Sequence, residues 1–84
     1  APLLRSRGAY KHWAQVFGQE FAHLQQRVDA GHGGLLSDYG ATNPGEFFAV
    51  ASEVFFEQSQ QLADEHPALF AQLRDFYTVD PLSW

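Results

Sequence analysis

Cysteine is absent from the 84 residues, which excludes a disulfide scaffold, an iron–sulfur cluster, a cysteine-rich zinc finger and a thiol nucleophile. Positive charge is scarce: five Lys and Arg stand against ten Asp and Glu, for a net charge of −5. With no basic cluster, nucleic acid and anionic membrane surfaces find little electrostatic attraction. No apolar run approaches the ~20 residues of a membrane-spanning helix, and no signal peptide is visible. Cytoplasm is therefore the expected compartment. Methionine is missing as well, and the chain opens Ala1-Pro2-Leu3-Leu4. Translation starts at Met, so the expectation is a segment of a longer protein.

What the chain does have is core material. Hydrophobic residues make up 45% of it and aromatic residues 15%, with eight Phe, three Tyr and two Trp. That composition argues against disorder. After a lead-in over residues 1–9, Tyr10, Trp13, Phe17, Phe21, Leu24 and Val28 recur at steps of three and four. This spacing places them on one face of an α-helix. Gly31-His32-Gly33-Gly34 supplies the stop, because glycine adopts the left-handed turn that closes a helix. Residues 32–43 read as a long loop that Leu35, Leu36 and Tyr39 should hold down. Long loops in small domains are usually functional or disordered.

Asn43-Pro44-Gly45-Glu46 combines an N-cap, a first-position proline and an acid three residues after the cap. The helix it opens runs to Glu57. At 100° per residue, Glu46, Val50, Glu53 and Glu57 lie within roughly 60° of one another. The rest of that helix is almost all Phe, Val and Ala. It is expected to be buried nearly all round except for one narrow acidic stripe. A short helix is expected over Ser59–Glu65, with a break at His66-Pro67 because the residue before proline avoids helical geometry. A last helix carries Leu69, Phe70, Leu73, Phe76 and Tyr77 on one side and stops at Asp80-Pro81. The fold class is all-α, with three main helices plus a short one.

Several residues could carry chemistry. Like charges at Glu53 and Glu57 repel at i,i+4, so the acidic stripe must face water, a cation or a cleft. Pattern alone leaves two readings for Glu46, a capping and solvated residue or a metal ligand supported from the same face by Glu53. Gln19-Glu20-Phe21-Ala22-His23 differs from the zinc motif His-Glu-x-x-His at its first position. Neutral Gln19 is a poor zinc ligand, and Gln19 and His23 lie opposite the Phe17/Phe21/Leu24 stripe. They read as a solvated helix face. Tyr39 reads either as an aromatic plug for the loop or as a donor to a developing oxyanion. His12, His32 and His66 share no ligand spacing and read as surface or capping residues. Kinase, dinucleotide-binding and hydrolase motifs are missing.

The run from Asp38 to Glu57, Asp38-Tyr39-Gly40-Ala41-Thr42-Asn43-Pro44-Gly45-Glu46-Phe47-Phe48 onward, resembles the Mlc titration factor A family of bacterial zinc-dependent peptidases. That family is related in its catalytic core to anthrax lethal factor. His66-Pro67-Ala68-Leu69-Phe70, Phe76-Tyr77 and Asp80-Pro81 are similar to its C-terminal end, and Tyr10 to Trp13 with the following helix also match. The resemblance covers nearly the whole chain. It implies that Glu46, in Asn-Pro-x-Glu-Phe-Phe, is the third zinc ligand. It also implies that Tyr39, seven residues earlier, assists the transition state, with Glu53 placed to orient a ligand.

The family's His-Glu-x-x-His helix, which gives two histidine ligands and a general-base glutamate, has no match here. By the resemblance, residues 1–84 are the C-terminal helical segment of a gluzincin-type zinc metallopeptidase domain, inactive by itself and not binding zinc tightly. The implied partners are the upstream part of the domain, a peptide substrate and a Mlc-type transcriptional repressor. A non-catalytic α-helical interaction module is the alternative. Apolar surface left where the active-site helix belongs would favour self-association.

Overall fold

The structure, a computed structural model, describes residues 7–32 and 34–83, with side chains from Lys11 onward. The lead-in 1–6, Gly33 and the Tyr10 side chain of the expected stripe lie outside the described residues. Four helices are present: α1 (Arg7–Asp29), α2 (Pro44–Glu57), α3 (Ser59–Glu65) and α4 (Pro67–Tyr77). Two 3-10 turns, Asp38–Ala41 and Pro81–Ser83, complete the described elements, which include no strand. The all-α reading holds, and the short element is α3. No helix is long and apolar enough to cross a membrane among the described residues.

Helix α1 starts about one turn before the first periodic residue, since Arg and Ala are strong helix formers and a single Gly8 does not break a helix. Its end is closed by backbone bonds. The His32 amide donates to the Arg27 carbonyl at 2.8 Å and the Gly31 amide to that of Val28 at 3.0 Å. This paired pattern needs a left-handed residue after the helix, and Gly31 supplies it with φ of 76°.

Proline geometry sets the next boundaries. His66, before Pro67, takes φ −136° and ψ 64°, outside the helical region, and so breaks α3 from α4. Between α2 and α3 the Ser59 hydroxyl donates to the Phe55 carbonyl at 2.8 Å, covering a helix-end acceptor.

Phe47, Phe55, Leu24, Leu36, Leu62, Leu69 and Leu73 are fully buried. Each such side chain contributes roughly 1.5–3 kcal/mol relative to exposure. The aromatic rings form a layer between α1, α2 and α4. Trp13 stacks on Phe17 at 4.1 Å and on Phe76 at 4.6 Å, and Phe17 meets Phe47 edge-on at 5.4 Å. Tyr77 completes this side by donating its hydroxyl to Ser52 Oγ at 2.8 Å.

Helix α2 is less enclosed than expected. Phe47, Ala51, Val54 and Phe55 are buried, but Ala49 and Phe56 are exposed together with Glu53 and Glu57. The 3-10 turn, α3 and α4 pack on α2, and α1 meets it through Phe17 and Phe21 against Phe47. They cover one broad side and leave a face wider than the acidic stripe.

Candidate functional site

The segment joining α1 to α2 places the site. Leu36 is buried and Leu35 half-buried, so the loop packs down as its leucines require. Its second half winds into the 3-10 turn, with the Gly40 amide donating to the Ser37 carbonyl at 3.0 Å and the Thr42 amide to that of Tyr39 at 3.2 Å. The Gln25 side-chain amide on α1 donates to the Ala41 carbonyl at 3.3 Å and ties the turn to that helix. Gly40 is buried, whereas Tyr39 is 61% exposed. The plug reading of Tyr39 is therefore wrong: Leu36 and Gly40 anchor the loop, and the phenol stands outside.

Asn43 starts α2. Its Oδ1 accepts from the Glu46 amide at 2.9 Å, the expected N-cap bond. The cap fixes the first turn of α2 and with it Glu46, which is half-buried. The carboxylate sits where the helix dipole favours negative charge. Tyr39 stands on the adjoining 3-10 turn, within the influence of Glu46. The nearby Glu46 side chain, through its hydrogen-bonding influence and then its charge, raises the phenol above its ordinary pKa. The phenol is a neutral donor at neutral pH.

Glu53 lies apart from this pair. Seven residues on, it is about 10 Å along the helix axis from Glu46, and it is exposed. No hydrogen bond joins it to Tyr39 or Glu46 among the described residues.

A second polar cluster lies elsewhere. Glu20 Oε1 is 3.1 Å from His66 Nδ1, tying α1 to the α3–α4 elbow. Their side chains are only 17% and 10% exposed. His66 is thus an inward partner rather than the surface or capping residue expected. Its hydrogen bond, and then its charge, lower the Glu20 carboxyl below its ordinary pKa against the opposing effect of burial. His23 stands 3.8 Å from the other Glu20 oxygen but is 60% exposed, and Gln19 is exposed, so both lie on the solvated face as expected. A signal for Glu20 existed in the sequence. It stands four residues before Leu24 and three after Phe17, on the edge of the apolar stripe. A carboxylate there needs a partner.

A carboxylate oxygen is a suitable zinc ligand, and half-buried Glu46 fits as one. A protein zinc site takes three or four ligands. Among the described residues, no group of three His, Asp or Glu could hold a metal ion. The chemistry present is one carboxylate donor with an adjoining phenol.

A family model described as glucose-regulated metallo-peptidase M90 matches residues 1–78. The chain belongs to this family. An uncharacterized protein of Synechocystis sp. is 40% identical to this M90 chain over 81 residues, which cover 96% of the chain and 30% of that relative. Mlc titration factor A of Edwardsiella ictaluri is 35% identical over 72 residues, 83% of the chain and 28% of its own length. The protein of the same name from Serratia proteamaculans is 33% identical over 73 residues, 84% of the chain and 28% of its own length. The M90 chain thus spans about three-tenths of the curated relatives it matches. No solved structure matches it.

Proposed function

We propose that this chain is the C-terminal segment of a zinc-dependent metallopeptidase and contributes one metal ligand, Glu46, to a site completed by the rest of a longer protein. The observation that carries the reading is the half-buried Glu46 carboxylate on the first turn of α2, fixed there by the Asn43 cap. Tyr39, on the adjoining 3-10 turn, lies within its electrostatic influence. The M90 membership supplies the reaction class.

Zinc, when bound, would polarise the scissile carbonyl and lower the pKa of a water to about 7. The chain's own residues have simpler tasks. Asn43 pins the first turn of α2, so Glu46 presents its carboxylate from a rigid element. Tyr39, neutral at pH 7, is a donor for negative charge developing on a carbonyl oxygen. Glu53 serves, on this reading, to orient a ligand from outside the segment. The compartment is cytoplasmic, and the substrate is a peptide.

The test uses the longer protein. Glu46→Gln should lose both zinc and peptide cleavage. Tyr39→Phe should keep zinc and lower kcat by about 100-fold, the usual cost of removing one oxyanion donor. Peptide cleavage that survived Glu46→Gln intact would overturn the ligand assignment.

A further inference from the structure

Helix α3 is weakly held. It has seven residues, Ser59–Glu65, and buries one side chain, Leu62. A helix that short has little stability of its own. Non-helical residues bound it on both sides, Gln58 at φ −132° and ψ 52° and His66 at φ −136° and ψ 64°. It packs on α2, α4 and the Pro81–Ser83 turn. A tie to α1 is made at the His66 boundary, where Nδ1 lies 3.1 Å from Glu20 Oε1. An ionised carboxylate only accepts hydrogen bonds, so His66 Nδ1 must carry the hydrogen. Glu20 thereby fixes the imidazole tautomer, and its charge strengthens the bond.

We infer that Glu20 and His66 form an acid-released latch: the ionised carboxylate clasps the α3–α4 elbow to α1, and its protonation lets α3 open locally about its two non-helical boundaries. Both side chains are largely buried, at 17% and 10% exposed, so water replaces a weakened partner poorly. The other charged groups acting on Glu20 lie on α1: His23, 3.8 Å from Oε2, and Arg27. Both favour the carboxylate. On the α3 side Asp64 and Glu65 are exposed, and Asp64 accepts from Gln60 at 2.9 Å. On α4, Arg74 stands 3.8 Å from its neighbour Asp75. Protonating His66 leaves its Nδ1–H in place, so the latch holds while the imidazole titrates. It releases as pH falls through the folded value of the Glu20 carboxyl, which lies below the ordinary 4.5.

The experiment is amide hydrogen exchange on the 84-residue chain, from neutral pH to about pH 3 and corrected for the intrinsic pH dependence of exchange. The Leu62 and His66 amides donate to the Gln58 and Leu62 carbonyls. Their protection should fall roughly 10-fold or more in acid, the scale of a hydrogen bond to a charged group. The Phe55 and Leu73 amides should keep theirs. In Glu20→Gln, the α3 amides should exchange faster already at neutral pH and show no acid step. NMR of the imidazole nitrogens should place the His66 hydrogen on Nδ1 in the wild-type chain. Unchanged α3 protection in acid overturns the inference, and so does an equal loss in α2, α3 and α4. A hydrogen on Nε2 in place of Nδ1, or an acid step that persists in folded Glu20→Gln, overturns it too. If Glu20→Gln does not fold, the wild-type exchange profile and the tautomer decide the matter.

Discussion

Glu20 shows how one residue can be misplaced by pattern alone. The motif-like run Gln19–His23 draws attention to zinc, yet its carboxylate is spent on His66 at 3.1 Å. Because the folded carboxyl is held below its ordinary pKa of 4.5, the pair adds stability that is full above about that pH. This contribution is lost as pH falls through the lower folded value. Glu20→Gln should therefore cost about 1.5–3 kcal/mol at pH 7, the range of a hydrogen bond to a charged group. The gap to wild type should narrow as pH falls below the carboxyl's ordinary value. Urea unfolding across that range checks it, and a gap constant with pH would refute the charge-based origin. For Tyr39, exposure removes the plug alternative and leaves the donor reading. Its sequence neighbours Leu35 and Leu36 argue for a packed loop, which is correct for Leu36. Nothing in the sequence says which residue of the turn faces out, since that depends on where Gly40 meets Leu24.

At the scale of elements, the helices were legible because local signals and burial agree. Trp13, Phe17, Phe21 and Leu24 mark one face of α1, Asn43-Pro44 opens α2, and His66-Pro67 divides α3 from α4. The 3-10 turn Asp38–Ala41 was not legible, because its hydrogen bonds follow from the seating of Leu36 and Gly40 on two helices. The exposed breadth of α2 was not legible either: a run of Phe, Val and Ala tells how much could be buried, not how many neighbours are present to bury it. The Asn43 cap belongs to this scale. Asn43→Ala removes the side-chain acceptor of the Glu46 amide and should destabilise by about 1 kcal/mol. Thermal unfolding measures the loss. Hydrogen exchange should locate it in the first turn of α2, faster at Glu46 than at Val54. Uniform acceleration along α2 would show that the cap is not what fixes Glu46.

For the whole molecule, the all-α architecture and the aromatic core between α1, α2 and α4 were readable from composition and period. The second polar cluster was not, because Glu20 and His66 are 46 residues apart in the chain. The candidate site is similarly distributed. Glu46 comes from α2, the Tyr39 phenol from the preceding turn, and no group of three His, Asp or Glu that could hold a metal forms among the described residues. In our reading the M90 chain holds a share of a metal site, and the remaining ligands come from the longer protein. The most direct measurement is a calorimetric zinc titration of the 84-residue chain at neutral pH, with Glu46→Gln beside it. The expected result is binding no tighter than a lone carboxylate provides, weakened further in the variant. Tight one-to-one binding by the wild-type chain would contradict it, because such affinity requires a complete ligand set within these residues.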